Sequence, residues 1–159
     1  MGKVRSGDLE KTNYNREFFT EALNEAKKGY AEGGIPIGSV LVYQDKIIGR
    51  GHNRRVQEGS PILHAEMDAL RYAGRQTAAV YAQCTLYTTL SPCAMCSGAV
   101  LLYKIPRVII GENRNFKGSE ELLKSEGVEI ILLDNRECFN LMKKFIAEKP
   151  HLWFEDIGT

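Results

Sequence analysis

The sequence has no apolar stretch long enough to cross a bilayer; its longest runs, such as 128–133, are far short of a spanning helix. It also lacks a charge excess: 21 Lys plus Arg stand against 20 Asp plus Glu, a formal net charge of +1. A protein that lives on long nucleic acid usually carries a clear basic excess, so polynucleotide is not the expected partner. No internal repeat, low-complexity segment or linker interrupts the chain. Histidine is scarce, with three residues, and only four cysteines are present. Where these few residues cluster is therefore informative.

The opening residues, Met1 to Ser6, are polar and have no apolar core of the kind a signal peptide carries. Gly2 with Ser6 matches the loose myristoylation pattern, which short sequences often meet by chance. Without an export signal, the cysteines are expected as reduced thiols in the cytoplasm (the nucleus remains open), available to bind metal. The 159 residues, 43% hydrophobic and 26% charged, suit one soluble globular domain.

Residues 1–14 read as a polar, flexible tail, leaving a single domain over 15–159. Phe18, Phe19, Ala22, Leu23 and Ala26 recur at helical spacing, in a helix ending near Gly29 to Gly34. Ile37 to Tyr43 predicts a strand, Gln44 and Asp45 a turn, and Ile47 to Gly49 the start of a second strand. Strands are further predicted at 85–89, 108–111 and 128–133, and helices at 64–72, 93–103, 120–125 and 137–147. An opening hairpin followed by β-α alternation implies an α/β fold of three layers, α/β/α, with a mixed central sheet of about five strands. The β-α junctions are then the natural place for a site.

Two segments carry chemistry: His64-Ala65-Glu66 and Pro92-Cys93-Ala94-Met95-Cys96. Two thiolates at the first turn of a helix are helped to ionise by the free N–H groups and the dipole. A Cys-x-x-Cys alone also fits thiol redox chemistry, but an upstream histidine makes a three-ligand set suited to tetrahedral Zn2+. Three protein ligands leave one position for water, the arrangement of catalytic zinc. Glu66 stands close enough to exchange protons with such a water. The order H-x-E…P-C-x-x-C is that of zinc-dependent nucleobase deaminases. The alternative is a closed structural site with Cys84 or Cys138 as fourth ligand, and hence a zinc-stabilised binding module without catalysis.

Beyond these motifs the chain resembles the fungal cytosine deaminases, of the cytidine deaminase-like superfamily. The resemblance rests on Gly33 to Gly38, Gly49 to Asn53, Thr85 to Cys93, Gly111 to Asn113, Asn115 to Lys117 and Trp153 to Gly158. It implies a homodimeric, cytidine deaminase-like hydrolase that converts free cytosine to uracil and ammonia in pyrimidine salvage, and that also takes 5-fluorocytosine. On that resemblance His64, Cys93 and Cys96 bind Zn2+ and Glu66 shuttles protons. The substrate contacts are Asn53, Ala65 (through its N–H) and Ser91, with Asp156 on the exocyclic amine. Phe116, Trp153 and Phe154 form an aromatic wall and lid. One position departs from the family pattern: Ala65 stands where the fungal enzymes carry glycine. His-Ala-Glu occurs in tRNA adenosine and guanine deaminases, so these are the rival substrates within the superfamily. Each contact also has a plainer reading: a turn for Asn53, core packing for Phe116, Trp153 and Phe154, and a solvated terminus for Asp156. Arg50, Arg54 and Arg55 read as a solvated face, and His52 and His151 as structural or surface residues.

Overall fold

The computed structural model describes residues 14–159; the Gly2 pattern and residues 1–13 of the expected tail lie outside the described residues. Tyr14, the last residue assigned to that tail, already packs partly buried against the core. The chain runs α1 (Arg16–Ala31), β1 (Gly38–Tyr43), β2 (Lys46–His52), α2 (Arg55–Glu58), α3 (Ala65–Ala73), α4 (Ala78–Tyr81) and β3 (Cys84–Leu90). It continues through α5 (Ala94–Leu102), β4 (Arg107–Glu112), α6 (Glu120–Ser125), β5 (Glu129–Leu132), α7 (Arg136–Glu148) and α8 (Pro150–Asp156).

The five strands form one mixed sheet in the order β2-β1-β3-β4-β5. β1 is antiparallel to both β2 and β3, whereas β4 and β5 run parallel to β3. Gln44 and Asp45 close the β1–β2 hairpin with positive φ of 47° and 59°. Such a turn matches the right-handed twist of the two strands it joins.

Strand periodicity decides which helix covers which face. Val40, Tyr87, Ile109 and Ile131 are register partners across four strands. They meet Phe19 and Leu23 of α1 and Cys138 and Leu141 of α7 on one face. The alternate row, Leu41, Leu86, Val108 and Ile130, packs on the other face against residues of α3, α5 and α6. The expected three layers result. α3 lies close on β2 because Gly51 has no side chain there; a Cβ would stand 2.6 Å from the Ala69 nitrogen.

Two boundaries carry the site. His64 and Cys93, expected at the starts of their helices, are the extended N-cap residues of α3 and α5. Their side chains thus sit at the C-terminal edge of the sheet, where the backbone turns into a helix. A third hydrophobic cluster, with Ile37, Ala65, Leu90, Phe145 and Trp153, fills the core beneath that edge. The segment 150–156, not predicted as a helix, forms α8, started by Pro150 at its first turn. Among the described residues no helix is long and apolar enough to cross a membrane.

Candidate active site

The N-termini of α3 and α5 bring His64, Cys93 and Cys96 together, with their ligand atoms all within 4.8 Å of one another. The Cys93 and Cys96 sulfurs lie 3.4 and 3.8 Å from His64 Nδ1. Tetrahedral zinc with arms of 2.0–2.1 Å to nitrogen and 2.3 Å to sulfur sets a nitrogen–sulfur edge of about 3.6 Å. The donor set therefore fits Zn2+ in both chemistry and spacing. Cys84 and Cys138 are buried in the clusters on opposite faces of the sheet. Burial pushes their thiols up to about 11 and about 12, so they are protonated small hydrophobes. Neither joins the metal-ligand group, so neither supplies the fourth ligand of a closed site.

Asp156 orients the histidine. Its Oδ1 accepts from His64 Nε2 at 3.2 Å and from Asn53 Nδ2 at 3.0 Å. A carboxylate only accepts, so Nε2 carries a proton and Nδ1 faces the thiols. Burial lowers the pKa of His64, but Asp156 and Cys93 outweigh it and push the imidazole up to about 10. The hydrogen bond from Cys96 holds Cys93 down to about 4, against burial and with help from His64. Cys96, which shares that proton and is itself buried, is raised well above its ordinary value.

Glu66 lies on the first turn of α3, buried beside the cluster. Thr88 donates to its Oε1 at 2.7 Å from strand β3, and Ser39 donates in turn to Thr88 at 3.0 Å. Burial raises the Glu66 pKa, opposed by the nearby His64 charge. A carboxyl group biased towards holding its proton in a dry site suits reversible proton transfer. The sequence reading missed Thr88. Only the sheet register, which sets it opposite Ser39 and under α3, makes it a partner.

A small cleft lies beside these groups, lined among others by His64, Ala65, Glu66, Ser91, Cys93, Phe116, Trp153 and Asp156. Phe116 meets Trp153 edge-on at 5.9 Å between ring centres. Asn53 is fully buried and reaches the cleft through Asp156. Its Oδ1 also accepts from the Arg55 N–H at 3.0 Å, so the turn reading holds, and Asn53 itself does not line the cleft. Phe154 departs from the expectation: it is 48% exposed and does not line the cleft. The cause is helicity. In α8, Trp153 and Asp156 are three residues apart and share a face, and Phe154 points away from it. Ser91 lines the cleft, but its hydroxyl donates to Glu120 at 2.6 Å and accepts from the Gly118 N–H at 2.9 Å. Arg50, Arg54 and Arg55 are each paired, with Glu21, Asp68 and Glu155. His52 is buried between Glu25 and Glu32, and His151 is exposed.

These features define a zinc-binding deaminase. Residues 12–112 match the cytidine and deoxycytidylate deaminase zinc-binding region, and the chain belongs to that family. It is 57% identical over 138 residues to the cytosine deaminase of Candida albicans, covering 86% of this chain and 92% of that protein. It is 38% identical over 147 residues to a tRNA-specific adenosine deaminase of Streptococcus pyogenes, covering 82% of this chain and 89% of that protein. A solved structure from work on A-to-I editing by tRNA:A34 deaminases superposes with a TM-score of 0.68. It is 25% identical and covers 80% of this chain and 99% of its own. A guanine deaminase structure from Nitrosomonas europaea, 18% identical, shares the fold with a TM-score of 0.64, covering 91% of this chain and 94% of its own.

Proposed function

We propose that the protein hydrolyses free cytosine to uracil and ammonia, acting in pyrimidine salvage. The observation that carries this reading is the small cleft, which brings a metal-ligand trio, a buried carboxyl, an aromatic pair and Asp156 together. The identity with the Candida albicans cytosine deaminase points the same way.

In this reading His64 Nδ1 and the Cys93 and Cys96 sulfurs hold Zn2+. The bound ion supplies a water acidic enough, with a pKa near 7, to act as a nucleophile at neutral pH. Glu66 accepts a proton from the attacking water and delivers it to ring N3 as the oxygen adds to C4. It then carries the proton of the new C4 hydroxyl to the amino nitrogen; the C4–N bond breaks, and uracil and ammonia result. Thr88 holds Glu66 in place through its 2.7 Å bond. Asn53 offers donor and acceptor atoms to the ring edge, and the Ala65 N–H the carbonyl. Asp156 accepts from the exocyclic amine and repels the carbonyl that replaces it. Phe116 and Trp153, packed edge-on, form one aromatic wall against the base and exclude water; Ser91 closes the side wall. The Ala65 methyl, fully buried, narrows the pocket relative to glycine. A 5-fluoro group is small enough for 5-fluorocytosine to be accepted too.

The protein is read as a cytoplasmic homodimer that binds neither polynucleotide nor membrane. The four free cysteines agree with a reducing compartment. Ile62, Tyr72 and Leu102, exposed by more than half on the α3–α5 side, supply apolar area for a second copy. The test is ammonia release by zinc-loaded protein from cytosine, guanine and tRNA in parallel. Release from cytosine alone supports the reading; release from guanine or only from tRNA overturns it.

A further inference from the structure

The loop between β4 and α6 carries Phe116, and a buried carboxylate is anchored at each end of it. Glu112, fully buried at the end of β4, accepts from the N–H groups of Arg114 and Asn115 at 2.7 and 3.0 Å and from Asn115 Nδ2 at 2.9 Å. Glu120, 2% exposed at the start of α6, accepts from Ser91 Oγ at 2.6 Å and from Asn113 Nδ2 at 3.2 Å to each oxygen. Among the described residues neither carboxylate has a Lys or Arg partner within salt-bridge distance. An unpaired buried carboxylate is costly, and it persists only where several donors converge on it.

The donors on Glu120 come from two separate segments. Ser91 immediately precedes Pro92 and Cys93, and Asn113 opens the Phe116 loop. Ser91 Oγ in turn accepts from the Gly118 N–H at 2.9 Å, and the Ser119 N–H donates to the Pro92 carbonyl at 3.1 Å. The loop sits so tightly on this strand end that a Cβ on Gly118 would overlap the Pro92 oxygen. The loop is thus fastened to the segment bearing Cys93, with Phe116 against Trp153 over the cleft.

We propose that Glu120 is a positioning residue for deamination. Acting through Ser91 and Asn113, it holds the Phe116 loop closed against the strand end, so that the aromatic wall is in place before the base arrives. The inference rests on the reading of the cleft as a base-deaminating site. An aromatic wall contacts the ring equally in the ground and transition states, so loosening it raises KM and leaves kcat.

The test compares native, Glu120→Ala, Glu120→Gln and Asn113→Ala proteins, each zinc-loaded. Three quantities are read: metal content, KM and kcat on cytosine, and acrylamide quenching of Trp153, the only tryptophan. Glu120→Ala is expected to keep its zinc, raise KM by about tenfold with kcat within about twofold, and expose Trp153 to quencher. Glu120→Gln, which keeps an acceptor for Ser91, is expected to recover most of the KM. If Glu120→Ala does not fold, Asn113→Ala decides, since it keeps the carboxylate and its Ser91 bond while freeing one side of the loop. Native KM and native quenching in Glu120→Ala, or in Asn113→Ala where that variant decides, would overturn the inference. So would a loss confined to kcat and zinc. Inactivity of the native protein on cytosine would refute the substrate reading instead, and the quenching of Trp153 would still decide the positioning role.

Discussion

Replacing Asp156 by Asn changes one oxygen to an amide nitrogen and removes a charge, with almost no change in shape. In the native protein Oδ1 accepts from His64 Nε2 at 3.2 Å and Asn53 Nδ2 at 3.0 Å in a setting only 8% exposed. A hydrogen bond to a charged group contributes about 1.5–3 kcal/mol, against about 0.5–1.5 kcal/mol between neutral groups. The exchange therefore weakens the hold on His64 by about 1–1.5 kcal/mol, roughly a tenfold effect. That agrees with the 10–100-fold losses typical when the partner of a metal-binding histidine is changed. Zinc affinity, measured by competition with a chromophoric chelator, should fall by about tenfold or more. At saturating zinc, kcat/KM on cytosine should still be reduced, because an amide NH2 turned towards the exocyclic amine sets donor against donor. Asp156→Ala should cost more, since it leaves the buried Asn53 Nδ2 without a partner. Native zinc affinity together with native turnover in Asp156→Asn would refute the orienting role.

The His52 cluster makes stability depend on pH. His52 donates to Glu25 at 2.8 Å and to Glu32 at 2.6 Å, with Lys28, Arg50 and Arg54 ranged around the same carboxylates. The Glu25 bond, and then Glu32, raise the His52 pKa against burial, and His52 in turn lowers Glu25 to about 2. The histidine contribution is whole below its ordinary 6.5 and is lost as pH rises through the raised value. The Glu25 contribution is whole above 4.5 and is lost as pH falls towards 2. Urea unfolding should thus show the native protein's advantage over His52→Gln at its largest between those two ordinary values; an advantage that does not change with pH would contradict the ion pair. Trp153→Ala should cost about 3–5 kcal/mol in the same assay, as large buried aromatics do. Phe154→Ala, on the outer face of α8, should stay within about 0.5 kcal/mol and keep near-native turnover; equal losses for the two would mean that α8 sits differently.

The strands, the hairpin turn and the longer helices are local features, and each is legible in alternation, turn residues or 3.6-residue spacing. The trio of His64, Cys93 and Cys96 is legible for another reason: the two motifs are short, and each sits where a strand or loop meets a helix. What stayed hidden is non-local. Thr88 becomes the partner of Glu66 only once β3 pairs with β1. Glu112 and Glu120 look like two more surface acids until the loop folds back on Ser91. His52 shows no periodic pattern; its burial follows from the close approach of α1 to β2. Phe154 falls on the outer face because 150–156 is a helix, which the sequence signals only through Pro150, a favourable first-turn residue.

The proposed role of Glu66 is to move protons in the hydrolysis of free cytosine at this cleft. The direct measurement is ammonia release from cytosine by native and Glu66→Ala proteins, each verified to carry one zinc per chain. The native protein is expected to release ammonia steadily, and the variant to be folded and metallated but to have lost at least 99% of turnover, on the order of the 10²–10⁴-fold contribution of a positioned acid–base group. Near-native release by Glu66→Ala would contradict it.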